Sequence, residues 1–110
     1  MSLPLIVVPV FNALEQLIAC LESIGRTVPH DTQVIVIDDA STDSRVRPAI
    51  QSWVDKARPY RRLIIQEQNR GFVLSANLGM RLANKNLVLL NSDTEVYGQW
   101  LQNLAACLDS

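Results

Sequence analysis

The stretch Gln33-Val34-Ile35-Val36-Ile37-Asp38-Asp39 indicates the fold, because an unbroken apolar run ends in two adjacent acids. Continuous apolar runs of this length are typical of strands that are buried on both faces, as in a parallel sheet. Three more runs of the same kind occur, at residues 5–8, 62–65 and 87–90. The sequence therefore predicts four strands of one mainly parallel sheet.

Segments with helical spacing follow these runs. Apolar side chains recur every three or four residues in four segments, which begin near Leu14, Val46, Leu74 and Trp100. Asn12 precedes the first segment and is placed to cap a helix there, with Glu15 three residues on. The order βαβαβαβα predicts an α/β fold, a doubly wound sheet between helical layers in a three-layer sandwich.

Length and composition restrict the function classes. The 110 residues suffice for a single domain, which we expect to span residues 1–110. A formal net charge of −1 gives no electrostatic reason to expect nucleic acid as a partner. The two cysteines, Cys20 and Cys107, are too far apart to suggest a disulfide framework or a metal site, which favours a reducing, cytoplasmic setting.

Polar residues follow each apolar run, and this is where open α/β sheets bind ligands. The second and fourth connections alone carry four carboxylates: Asp38, Asp39, Asp93 and Glu95. Carboxylates that meet at one sheet edge repel each other unless a cation or a donor group lies between them. A hard divalent ion that carries phosphates is one natural solution.

Five short motifs resemble the family-2 glycosyltransferases, which have the GT-A nucleotide-binding fold. The motifs are residues 6–12 (Ile-Val-Val-Pro-Val-Phe-Asn), 36–43 (Val-Ile-Asp-Asp-Ala-Ser-Thr-Asp), 69–72 (Asn-Arg-Gly-Phe), 76–79 (Ala-Asn-Leu-Gly) and 89–96 (Leu-Leu-Asn-Ser-Asp-Thr-Glu-Val). They occur in the family's order and at its spacing. The resemblance implies the N-terminal, nucleotide-sugar-binding portion of a longer glycosyltransferase. The last motif also resembles rhamnosyltransferase-like members.

The resemblance implies which residues bind the donor nucleotide. Phe11 matches the aromatic that stacks on the base, and Pro9 lines the same pocket. Asp39 matches the carboxylate that accepts a hydrogen bond from the base N–H. Arg70 and Gly71 lie in the stretch that passes the nucleotide or its phosphates.

The resemblance also implies a metal ligand. Asp93 matches the last acid of the family's DXD motif, which binds the Mg²⁺ or Mn²⁺ that bridges the diphosphate. Asn91 stands where the motif has its first acid, and it offers only an uncharged carbonyl oxygen. We therefore expect Asn91 to be the weaker ligand and the metal to depend more on the phosphates of the donor. Asp38, beside Asp39, is expected to hold the loop.

The implied reaction is an inverting, metal-dependent transfer of a sugar, such as a hexosyl or rhamnosyl group. The donor would be a nucleoside-diphosphate-sugar and the acceptor a saccharide, lipid or protein, as in cell-envelope polysaccharide biosynthesis. The family's general base lies after a further strand, and nothing here matches it. We expect no catalytic residue within this chain and an inactive fragment, with self-association through a face that the rest of the enzyme would cover.

One alternative stays open: a non-catalytic nucleotide-binding or interaction module with the same fold. A receiver-type signalling domain would need its acidic pair after the first strand, whereas here the pair follows the second. The glycine-rich signature of a dinucleotide-binding domain and the P-loop are both missing from the sequence. An acidic residue opposite Asp93, in a part of the protein beyond Ser110, would favour the enzyme over the non-catalytic module.

Overall fold

The structure is a computed structural model that describes residues 3–67 and 87–109. Its strands are β1 (Leu5–Val10), β2 (Val34–Asp39), β3 (Arg61–Gln66) and β4 (Leu87–Leu89). The helices in the described ranges are α1 (Leu14–Thr27), α2 (Val46–Asp55) and α3 (Trp100–Asp109). The α/β fold with a parallel sheet is therefore confirmed. The helix predicted to begin near Leu74 lies outside the described residues.

The four strands form one parallel sheet in the order β3-β2-β1-β4. Strands β2 and β3 lie on one side of β1, and the chain then returns to pair β4 with the other side of β1. Strand order thus reverses at β1, which places a topological switch point between β1 and β4. Ligands of open α/β sheets bind at this point, beyond the carboxyl ends of the strands.

The pleat of the sheet divides the core into two clusters. Alternate residues of β1, such as Ile6 and Val8, pack with all three described helices in the larger cluster. The residues between them, Leu5 and Val7, pack with Ile35 and Ile37 in a smaller cluster on the opposite face. The two faces of the sheet therefore differ, and the helices α1, α2 and α3 all pack on the first.

The amino end of β3 is attached to α2 by Arg61. Its guanidinium lies 3.8 Å from the centroid of the Trp53 ring, and its Nη1 donates to the Trp53 carbonyl oxygen at 2.8 Å. A Cβ at Gly25 would lie 3.3 Å from Nη2 of Arg61, so the absence of a side chain there leaves room for the stack.

Within the described ranges, no helix has the length and apolarity that crossing a membrane requires.

Candidate functional site at the carboxyl edge of the sheet

The pleat gives the two adjacent aspartates different environments. Asp38 continues the alternation of Val34 and Val36, so it lies on the face that carries α2. Its side chain is completely buried; Oδ2 accepts a hydrogen bond from Nε of Arg47 at 2.6 Å, and Oδ1 accepts one from the Ser41 N–H at 3.3 Å. This contact raises the pKa of Arg47. The predicted loop-holding role of Asp38 is confirmed.

Asp39 lies on the opposite face, in line with Ile35 and Ile37. The register pairs Val10 with Asp38, so Phe11 follows at the level of Asp39. Alternation along β1, continued one residue past its end, places Pro9 and Phe11 on this same face. Asp39 is 5% exposed, whereas Phe11 is 47% exposed, so the aromatic residue is accessible and the acidic one is nearly buried.

The three predicted nucleotide-binding residues in the described ranges, Pro9, Phe11 and Asp39, thus share one edge and one face of the sheet. Their roles in binding stay predictions. Arg70 and Gly71, the other two, lie outside the described residues. A base stacked on Phe11 would also lie within the reach of Asp39, because neighbouring strands are about 4.8 Å apart.

Asn12 ties the loop after β1 to the loop after β2. Its Oδ1 accepts the backbone N–H groups of Thr42 at 2.9 Å and Asp43 at 3.0 Å, and its Nδ2 donates to Oγ1 of Thr42 at 3.0 Å. Its own N–H donates to Oγ of Ser41 at 2.8 Å. Asn12 has φ 53, a left-handed conformation that asparagine tolerates. The predicted helix cap was wrong: Ala13 occupies the N-cap of α1 and makes no side-chain cap hydrogen bond.

A tight turn follows β4 and carries the predicted metal ligands. The N–H of Leu90 donates to the carbonyl of Val7 at 2.9 Å, and the N–H of Thr94 closes the turn on the carbonyl of Asn91 at 3.0 Å. Asn91 and Asp93 are both exposed. Because β1 separates β4 from β2, the turn lies about 10 Å, or two strand spacings, from the end of β2.

Helix α1 supports this turn from behind through residues that the sequence reasoning did not single out. Ser23 is completely buried; its Oγ donates to the carbonyl of Cys20 at 2.7 Å and accepts the N–H of Val96 at 3.0 Å. Thr27 Oγ1 accepts Nε1–H of Trp100 at 2.9 Å. The available signal was a pair of hydroxyl residues, Ser23 and Thr27, spaced i, i+4 on the side of an amphipathic helix that faces the core.

Cys20 lies between α1 and the turn. Its Sγ donates a long hydrogen bond of 3.7 Å to the carbonyl of Asn91. Burial, with the nearby charges of Asp93 and Glu95 as smaller causes, raises the pKa of Cys20 to about 11. The thiol is therefore neutral at ordinary pH, as expected of an inert, buried cysteine.

The turn alone does not form a complete metal site. Among the residues that the structure describes, no group of three or more His, Cys, Asp or Glu side chains could hold an ion. Glu95 accepts the hydroxyl of Tyr97 at 2.8 Å. The exposed carboxylate of Asp93 fits an ion that takes its remaining oxygen ligands from phosphates and water, as Mg²⁺ commonly does.

Comparison with known proteins shows which family this chain matches. The family model described as "Glycosyl transferase family 2" matches residues 5–110. An Escherichia coli (strain K12) protein described as "Uncharacterized glycosyltransferase YibD" is 29% identical over 100 residues, which are 90% of this chain and 28% of that protein. The chain therefore spans well under half the length of this relative.

Solved glycosyltransferases share the fold. The UDP complex of S. aureus TarS residues 1–349 has a TM-score of 0.82 at 22% identity, over 98% of this chain and 32% of that one. The mannosyltransferase PcManGT from Pyrobaculum calidifontis, in complex with GDP-Man and Mn²⁺, has a TM-score of 0.78 at 24% identity, over 94% of this chain and 30% of that one. The GT-A fold that the resemblance implied is confirmed.

Proposed function

This chain belongs to glycosyl transferase family 2, and from that premise we propose that it binds the nucleoside diphosphate of a sugar donor at the carboxyl edge of its sheet. One observation carries the proposal: Pro9, Phe11 and Asp39 share a face there, and the turn with Asp93 lies on the other side of β1. An elongated ligand with a base at one end and charged phosphates at the other matches this arrangement.

The base-binding half of the proposal rests on Phe11 and Asp39. Phe11 is about half exposed and so is accessible to a base, and base–aromatic stacking contributes about 1–3 kcal/mol per base. Asp39 would accept the hydrogen bond of a base N–H from a nearly buried position, where competition from water is reduced. Because Asp39 would be the acceptor, we propose that the bound base has an N–H at its pairing edge.

The phosphate-binding half rests on Asp93. Its exposed carboxylate would bind a divalent ion together with the diphosphate oxygens, and Asn91 would add a weaker, neutral ligand. When bound, Mg²⁺ or Mn²⁺ supplies Lewis-acid stabilisation of the leaving diphosphate. A fold shared with a mannosyltransferase solved with GDP-Man and Mn²⁺ supports this assignment.

For the whole protein, we propose inverting sugar transfer, with the acceptor-side base supplied from outside this chain. The chain's own part is to hold the donor in one orientation, which lowers the entropic barrier to attack. A saccharide, lipid or protein acceptor would bind in a part of the site that is formed outside this chain.

The direct test is isothermal titration calorimetry of the chain with UDP, TDP and GDP, each with and without Mn²⁺. We expect one nucleotide to bind preferentially and Mn²⁺ to strengthen its binding. Absence of any binding heat at millimolar concentrations of all three nucleotides would overturn the donor-site proposal. Equal nucleotide affinity with and without Mn²⁺ would be consistent with the proposed base-binding half but would contradict the proposed metal ligands.

A further inference from the structure

Three hydrogen bonds connect one side of α1 to the segment that contains Asp93. Cys20 Sγ donates to the carbonyl of Asn91 at 3.7 Å, Ser23 Oγ accepts the N–H of Val96 at 3.0 Å, and Thr27 Oγ1 accepts Nε1–H of Trp100 at 2.9 Å. Asn91 precedes Asp93 and Val96 follows it. The turn is therefore held on both sides by a helix that belongs to the main core.

The hydrogen bond to Ser23 is the most deeply buried of these three links. A serine hydroxyl has one proton, and here that proton is donated to the carbonyl of Cys20 at 2.7 Å. The oxygen can then only accept from Val96, so the direction of the second bond is determined. With Ser23 fully buried and Val96 7% exposed, water cannot replace this bond without opening the core.

We propose that Ser23 is a positioning residue for the metal-binding turn: through the backbone of Val96 it holds Asp93 where the diphosphate and its ion meet. This inference rests on the proposed function. Ser23 is fully buried, so it would contact neither the donor nor the ion. The carboxylate of Asp93 is exposed, so its position depends on the ends of its turn rather than on packing around it.

A purely structural role would have a different consequence. If Ser23 only satisfied a buried N–H, its loss would lower the stability of the whole domain and leave the geometry of Asp93 unchanged in the folded state. If it positions the turn, its loss reduces metal binding even where the protein is fully folded. Outer-shell contacts of metal sites typically change metal affinity by about 10- to 100-fold, and an anchor one step further out should act at the lower end.

The test compares Ser23→Ala with Ile50→Val at a temperature where both remain folded. Ile50 lies fully buried in the same core but on α2, so its variant is a control for mild destabilisation. The affinity for UDP is measured with and without Mn²⁺, and Mn²⁺-induced broadening of the Asp93 amide is measured by NMR in the presence of UDP.

We expect Ser23→Ala to lower the Mn²⁺-dependent gain in UDP affinity by about 10-fold and to weaken the broadening, with metal-free UDP affinity unchanged. Ile50→Val should keep both readouts at their wild-type values. Wild-type gain in Ser23→Ala, or an equal loss in both variants, would overturn the positioning role alone. Absence of the Mn²⁺ effect in the wild-type chain would instead overturn the proposed metal site, and the positioning role with it.

Discussion

Replacing Asn12 tests how the two loops of the base-binding half are held together. Its side chain makes three hydrogen bonds of 2.9–3.0 Å to Thr42 and Asp43, about 30 residues further along the chain. Its backbone has φ 53, which asparagine and glycine adopt more easily than alanine. Asn12→Gly removes the hydrogen bonds and raises the entropy of the unfolded chain, whereas Asn12→Ala removes the hydrogen bonds and adds backbone strain.

The two variants should therefore differ in stability by a definite amount. Each net hydrogen bond contributes about 0.5–1.5 kcal/mol, and the partly exposed site favours the lower end, so Asn12→Gly should lose about 1–2 kcal/mol. The left-handed conformation costs alanine roughly 1–2 kcal/mol more than glycine, so Asn12→Ala should lose about 2–4 kcal/mol.

Urea denaturation followed by tryptophan fluorescence measures both losses. With a slope of about 1–3 kcal/mol per molar urea, the expected changes move the midpoint by a readily measured amount. Wild-type stability in Asn12→Gly would show that the cross-loop hydrogen bonds contribute nothing. An alanine variant that is no less stable than the glycine variant would refute the backbone reasoning.

Asp38→Asn should lower the urea midpoint strongly, because it weakens the hydrogen bond from Arg47 that ties β2 to α2. Asp39→Asn should mainly lower the affinity for UDP, measured by calorimetry. If Asp38→Asn lowered the affinity and Asp39→Asn the stability, the assignment of the two side chains to opposite faces of the sheet would be wrong. Phe11→Ala should weaken UDP binding by about 1–3 kcal/mol, measured in the same titration, and unchanged affinity would exclude stacking. A thiol reagent at pH 8 should modify the exposed Cys107 rapidly but Cys20 only on unfolding, and two rapid thiols would contradict the burial of Cys20. Burial raises the pKa of Cys20 to about 11, so the stability that the neutral thiol contributes should be present below about pH 9 and lost as the pH rises through 11. Urea midpoints measured from pH 8 upward should therefore fall over this range.

Much of the fold follows from local pattern. Continuous apolar runs such as residues 33–37 predict doubly buried strands, and the intervening 3.6-residue periodicity predicts the helices. The structure confirms a strand at each run, with ends that differ from the runs by one or two residues, and the three helices that fall in the described ranges. Burial follows the prediction in β1 and β2, whereas β3 and β4 are only partly buried. These signals are strong because each is repeated over many residues.

The site could be predicted only in part, because its details depend on tertiary contacts. Asn12 before an apolar helical segment has the pattern of a cap, yet its partners lie 30 residues away in the loop after β2. Asp38 and Asp39 have the same chemistry, so only the family resemblance separates them in the sequence, and the face that carries α2 supplies the physical reason. Ser23 was missed because a single serine in an amphipathic helix is ordinary until its buried partner at Val96 is known.

Replacing Asp93 is the sharpest test of metal binding by the turn after β4. The measurement is the affinity for UDP with and without Mn²⁺ in Asp93→Asn, with Glu95→Gln as the matched control. Glu95 carries the same charge two residues away, and its carboxylate accepts the hydroxyl of Tyr97. We predict that Asp93→Asn removes the gain from Mn²⁺ while metal-free binding persists, and that Glu95→Gln keeps the gain. A full Mn²⁺ effect in Asp93→Asn would contradict the assignment of this turn to the metal.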